Sequence, residues 1–439
     1  MTYLIFRQHP CMCIRLSDDA VDSEDESDVD SDASVSDDSD DMLALVLDLN
    51  VLFSFAEWED GRTYTLPPDY FARRLRPLIR IADFEGDHLS TTTARQTFRF
   101  HASSLRILVD QLRFRNTRLD NGSFVEAEEL LLVLLARLAC TSTNHNLALS
   151  LNVDPSRLSR VFKAALSYVH RNFAFPLLRG RDVYKYAAHM FDDWKGHCFR
   201  KMNAVELAVP EYFQDTTLLL DTFLIRIARP RTTVGGYRYR SRRVQQGLPR
   251  DQQRQWWGFY RKMHACKLQS IVSPDLMFLS LRGTFVSKRH NITVLRLSGD
   301  AVQFARASQT LGGRSIHTIA ADKGYTNCMA LPVTGMYKKP MTRQQRIDNS
   351  IVATVRVAVE WAHQKLHNNW RYIDLSNAMK INSIQLDKII LVMGFFTNVH
   401  TCLYGSEGCV YFSTSENPLH PPALDEYLER RQPFVREER

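Results

Sequence analysis

The sequence predicts an α+β chain, helical in its first part and mixed strand and helix in its second. Three observations carry this: helical spacing of apolar residues between Phe98 and Phe173, short buried-type apolar runs from Thr216 onward, and one long helical pattern near 342–367. The 439 residues suffice for two or three domains. The expected division is an acidic tail over 1–41, a helical region over 42–204, a strand-rich domain over 205–412 and a C-terminal tail over 413–439.

Residues 18–41 hold 13 of the 49 acidic residues and no Lys or Arg. Ser alternates there with Asp and Glu, so too little apolar surface can be buried to offset the entropy of ordering, and a disordered segment is expected. The rest of the chain carries 36 acids against 56 Lys and Arg, an excess of 20 positive charges that favours a polyanionic partner such as nucleic acid. The apolar runs Met42–Ala56 and Leu130–Ala139 are too short or too interrupted to span a bilayer, and the first ten residues lack a secretory h-region, so no membrane partner is expected. Eight scattered cysteines form no CxxC pair, which points to reduced thiols.

Glu126–Leu138 opens with acids that complement a helix dipole and continues at helical spacing. Asn144–Leu151 follows. Asp154 then offers an N-cap and Pro155 a first helical residue for the next helix. Two helices joined by a short turn make a helix-turn-helix candidate within about 126–173, where Ser156, Arg157, Ser159, Arg160 and Lys163 would face DNA. The same pattern suits an ordinary helical hairpin with a solvated basic face.

From Thr216 the character changes. Leu218–Asp221 and Phe223–Ala228 read as a strand pair; Lys267–Val272, Met277–Leu281 and Ser315–Ala320 add three strands, and a helix follows from Thr342 to His367. Asp221 and Asp322 each stand where an apolar strand gives out, and Glu360 lies on the long helix between Val359 and Trp361. Three carboxylates brought together this way require neutralisation, and two Mg²⁺ or Mn²⁺ ions supply it through the hard oxygen ligation they prefer. Such a pair supports in-line phosphoryl displacement. Each acid taken alone also suits a turn or a solvated surface.

Taken in order, Leu218–Asp221 with Ile225–Pro230, Tyr260–His264 with Ser273–Asp275, Lys288–His290, Ala321–Tyr325, Val359–Arg371 and Thr401–Gly405 with Pro421, Pro422, Tyr427 and Leu428 resemble the PIF/Harbinger-type DDE transposases and the nucleases derived from them. The resemblance covers about Phe98–Leu428. It implies a ribonuclease-H-like catalytic domain preceded by a helix-turn-helix region. It implies further that Asp221, Asp322 and Glu360 are the catalytic, metal-binding triad, with Asp221 bridging both ions, Asp322 holding one and Glu360 completing the second. Lys323 is then a candidate phosphate contact and His290 an orienting group. The chain departs from the family pattern at Thr222, where glycine is usual, at Asn291, where aspartate is usual, and in a short 322–360 segment.

Residues 226–262 interleave Arg238, Arg240, Arg242, Arg243 and other cations with Tyr237, Tyr239, Trp256 and Trp257, a composition suited to phosphate pairing and base stacking. The expected function is a metal-dependent DNA endonuclease or transposase located in the nucleus; the alternative is a domesticated, catalytically inactive DNA-binding or adaptor protein. An RNA substrate suits the same chemistry. Expected partners are DNA and, as the resemblance implies, a Myb-like DNA-binding protein, with a homo-oligomer also open.

Overall fold

A computed structural model describes residues 79–430, apart from 87, 152, 231–249, 259–260, 311–315, 326–331, 376–378 and 381–384. The described residues belong to one compact unit, Ala72–Arg439. The acidic segment and Arg238, Arg240, Arg242 and Arg243 lie outside them.

The chain begins with helices α1 (His88–Phe98) and α2 (Ala102–Gln111), a small antiparallel hairpin of β1 (Thr117–Arg118) and β2 (Phe124–Val125), then α3 (Ala127–Ala139), α4 (Asn144–Ser150) and α5 (Pro155–Val169). The start signals work as their chemistry dictates. Asp154 accepts the Arg157 backbone N–H at the head of α5, with Pro155 in the first turn, and Thr143 accepts the Asn146 N–H at the head of α4. Helix α3 is buried along nearly its whole length, Glu129 included. Helices α6 (Phe175–Arg179), α7 (Val183–Ala187) and α8 (Phe191–Asn203) lead into the sheet.

The large sheet contains β3 (Thr216–Arg226), β4 (Trp257–Gly258), β5 (Met263–Val272), β6 (Phe278–Val286), β7 (Thr318–Ala321) and β8 (Val333–Gly335). Strand β3 is central, antiparallel to β5 on one side and parallel to β7 on the other; β6 extends the antiparallel side and β8 the parallel side. Helix α9 (Arg250–Gln255) precedes β4, and α10 (Asn291–Ser298) and α11 (Asp300–Thr310) connect β6 to β7. The fully buried run Leu218, Leu219, Leu220 is what a strand covered on both faces requires. The expected strand pair around Asp221 is in fact one continuous strand of 11 residues. Thr222, β-branched and content in an extended backbone, lets the chain run straight where a turn was expected.

Helix α12 (Arg343–Asn369) starts at a capping box between Thr342 and Gln345, close to where the spacing predicted it, and buries Val355, Val359, Ala362 and Leu366. Helix α13 (Leu386–Tyr404) is the core helix. By length and composition it alone among the described residues could cross a membrane, yet 72% of its apolar window is buried inside the fold. Its Asn398 accepts the Phe278 N–H and donates to the Phe278 carbonyl, locking α13 to β6, and Gly394 lets the helix close on the sheet: a Cβ there would stand 2.7 Å from Leu281 Cδ2. Two short helices follow, α14 (Glu407–Phe412) and α15 (Leu424–Glu429).

The composition-based boundaries at 204 and 412 both run through continuous core. Helix α8 packs on β3, Arg179 of α6 pairs with Asp387 of α13 and donates to the Leu281 and Gly283 carbonyls, and the stretch expected to be a C-terminal tail buries Leu424, Tyr427 and Leu428. Arg99 ties the helical part to α12 by donating to the last carbonyls of both α3 (Ala139) and α12 (Asn369).

His400 of α13 sits beside Phe100 and Tyr404, and burial, with Lys365, Arg95 and His101 near, pushes its pKa down to about 3. The unfolded chain takes up this proton below about pH 6.5 and the folded one does not, so the contribution is full at neutral pH and is lost as pH falls toward 3. Replacing His400 with Gln is expected to flatten the acid side of the stability profile by up to one proton, about 1.4 kcal/mol per pH unit. Urea denaturation at pH 4.5 and 7 measures it; an unchanged gradient contradicts the assignment.

Candidate active site

The parallel pairing of β3 and β7 sets Leu220 opposite Ala321. Asp221 and Asp322 are the next residues on each strand, so they emerge side by side where the parallel ladder ends. Asp221 is therefore mid-strand, still paired with Ser270 of β5 on its other side, and its cleft exists because β7 stops, not because β3 does. Asp322 matches its expected position. Its Oδ1 accepts the Gly324 N–H at 2.9 Å, fixing the 3₁₀ turn Lys323–Tyr325.

Glu360 reaches the same neighbourhood from α12, but its side chain is 63% exposed, more solvated than its neighbours Val359 and Trp361 suggest. Between it and Asp221 stands Arg356, one helical turn earlier. One guanidinium nitrogen of Arg356 lies 3.0 Å from Asp221 Oδ2 and 4.0 Å from Glu360 Oε1. Asp221 Oδ1 accepts the Thr222 N–H at 2.7 Å. Burial raises the Asp221 pKa to about 6, with Arg356 opposing the rise and the charges of Asp322 and Glu360 adding to it.

Further side chains close the site. His363 Nε2 lies 2.6 Å from Ser270 Oγ, and burial, with Arg356 beside it, pushes the His363 pKa down to about 3, so the ring is neutral. Phe223 packs against that ring with centroids 4.1 Å apart. Lys267 of β5 donates to the Arg289 carbonyl at 2.6 Å and to Asn291 Oδ1 at 3.0 Å; burial lowers its pKa and Asp322 opposes that fall. Asn291, where the resemblance leads one to expect an acid, thus borders Asp322 and is engaged by a lysine. A cavity of about 540 Å³ begins two residues further along β3, lined by Phe223, Ile225, Arg226, His363, Gln364 and His367 among others.

Among the described residues no three His, Cys, Asp or Glu side chains stand close enough to ligate one metal ion. The donors nonetheless fit a hard divalent cation by chemistry, being carboxylate oxygens concentrated where a positive charge is needed. In this arrangement the positive charge is the guanidinium of Arg356.

Residues 220–398 match the family model of the DDE superfamily endonucleases. The matched stretch opens one residue before Asp221 and closes at Asn398 in the core helix, so it contains all three acids and most of the sheet. It is a coarser result than the PIF/Harbinger resemblance. No match was found among curated proteins or among solved structures.

The other expected residues are distributed as follows. Lys323 is exposed on the turn directly after Asp322, and His290 is exposed at the head of α10. Arg160 and Lys163 project from α5 to solvent. Arg157 does not: its guanidinium makes a two-pronged bond, at 2.8 and 2.7 Å, with the fully buried Glu129 and donates to the Phe124 carbonyl, so this charge is spent inside the helical part. Sequence reasoning missed Arg356, Lys267 and the Ser270–His363 pair. Only the first had a legible signal, an arginine four residues before an acid on one helix face.

Gly324 is held by its surroundings. A Cβ there would meet Asn291 Nδ2 at 2.8 Å and Asp322 Oδ1 at 2.9 Å. Gly324→Ala is expected to displace both groups and to cost about 1–3 kcal/mol, the usual toll of overpacking. Denaturant unfolding checks this, and a variant as stable as the parent shows that the Asp322 turn yields freely.

Proposed function

We propose that the chain is a nucleic-acid endonuclease of the DDE type, built on a ribonuclease-H-like domain and acting on DNA. What carries the reading is the placement of Asp221 and Asp322 level with each other at adjoining parallel strands, with Glu360 facing them from α12, inside the stretch that matches the DDE endonucleases.

In this reading Asp221, Asp322 and Glu360 hold Mg²⁺ or Mn²⁺. The chemistry such ions supply when bound is activation of a water and neutralisation of charge on the leaving oxygen. The chain's own residues do the rest. The Asp322 turn and the β3–β7 register bring two of the ligands to the same end of the parallel ladder. Lys323 meets a phosphate at the rim. Neutral His363, bonded to Ser270, keeps the floor beside Asp221 rigid. The adjoining cavity, apolar on Phe223 and Ile225 and polar at Arg226 and Gln364, receives the strand next to the scissile phosphate. Arg160 and Lys163 on the exposed face of α5 extend the contact to more distant phosphates, which makes binding strongly salt-dependent. The same reading leaves a Myb-like partner, self-association and a nuclear location as proposals.

A second reading, an adaptor that binds DNA without cutting it, is favoured by one observation: Asp221 is already paired with Arg356, and Asn291 stands in place of an acid. Nicking of supercoiled DNA with Mg²⁺ or Mn²⁺ decides between them. The endonuclease is expected to nick, and Asp322→Asn and Glu360→Gln to lose at least about a hundredfold in rate, the upper end of what loss of a supporting partner costs at metal sites, while retaining DNA binding. Absence of nicking by a folded, DNA-bound wild-type protein leaves the adaptor.

A further inference from the structure

The Arg356 side chain is only 12% exposed, yet poorly satisfied. Its guanidinium makes one strong bond, to Asp221, and a long contact of 3.8 Å to the Met336 sulfur; its Nε is buried without a hydrogen-bond partner among the described residues. Five donors in a rigid fork normally find more than this. Arg282, which also leaves a buried nitrogen unpaired, makes two strong bonds all the same, to Asp300 and to the Arg179 carbonyl, and two other arginines of the fold are fuller still. Arg157 grips Glu129 with two nitrogens and Arg179 grips Asp387 with two and takes two carbonyls besides. Arg356 is held where the acids need a cation, by a contact that one displacement would break.

We propose that Arg356 is a placeholder cation: it neutralises the acid cluster when no divalent ion is bound and must give up Asp221 for one to bind. The inference rests on the endonuclease reading, since it takes Asp221 as a ligand. The same guanidinium nitrogen that contacts Asp221 Oδ2 also faces Glu360 Oε1, so one movement frees both acids. Because Arg356 and Glu360 are successive turns of the same rigid helix, that movement is a rotamer change of one side chain and requires no shift of α12. A guanidinium cannot be deprotonated to make room, so displacement is the only exchange open to it.

The test is Mn²⁺ binding to the full chain, followed by calorimetry and by the electron paramagnetic resonance of free Mn²⁺. Arg356→Gln is expected to bind Mn²⁺ about tenfold or more tightly than the wild type, because a positive charge a few ångströms from the ion is gone. Arg356→Lys, which keeps the charge, is expected to stay near the wild type, and Asp221→Asn to lose the site in either background. The Arg356 Nε resonance of ¹⁵N-arginine-labelled wild type, assigned by its loss in Arg356→Lys, is expected to move on adding Mn²⁺; this keeps the question decidable if the Gln variant does not fold. Equal or weaker Mn²⁺ affinity in a folded Arg356→Gln, or an unmoved Nε resonance while the wild type binds, overturns the placeholder and leaves the endonuclease reading standing. No binding by either protein overturns both.

Discussion

One register constraint organises this molecule. The parallel ladder between β3 and β7 ends with Leu220 beside Ala321, and the next residue on each strand is an aspartate. Shifting either strand by one residue would turn its carboxylate to the opposite face of the sheet, because side chains alternate with a period of two. Because β3 is buried on both faces, its leucines do not set that register by themselves; the ladder to β5 on the other side, from Leu219 beside Val272 to Arg226 beside Ala265, holds the strand in place. The pairing that builds the sheet thus also aims the acids, and placing the site costs nothing beyond the fold itself.

Placing like charges together does cost something. Asp221 is largely withdrawn from water, faces two other acids, and holds its proton more tightly than a free aspartate does. Arg356 offsets part of this, and the helix that carries Arg356 is fixed at both ends. Thr342 and Gln345 cap its start, while Arg99 takes the Asn369 carbonyl at its end and joins it to α3. Trp370, just past that end, is buried and donates to Thr397 of the core helix. The helical part of the chain is therefore structural support for α12, which explains why the core runs unbroken across residue 204.

Most elements were legible because they follow from local chemistry. Asp154 and Pro155 announce α5, Glu126 and the leucines announce α3, and Thr342 begins α12 one residue before its first turn. Errors arose where tertiary context decides. Asp221 looked like the end of a strand, because an apolar run stops there, yet the ladder to β5 carries β3 on to Arg226. Arg157 looked like a DNA contact, because a basic residue on an amphipathic helix is usually solvated, but Glu129 draws it inward. Lys267 gave no sign at all, since its role depends on Asn291 arriving from 24 residues away. Pairings of that kind are set by strand register, which no single stretch of sequence contains.

The energetics of the site bear on what it is for. A largely desolvated acid with a raised pKa, an arginine with an unmet donor, and a desolvated lysine held against an amide are all groups whose removal from water works against stability. Asp300, a buried acid of the scaffold, accepts from Ser280, Arg282 and Gln269 at once. In the cleft, by contrast, Arg356 keeps an unmet donor while its one guanidinium nitrogen serves two acids, an arrangement that a ligand would complete. A surface that only needed to be positive would have no use for three acids at its centre, and this local imbalance is what a cation and a phosphate together would repair.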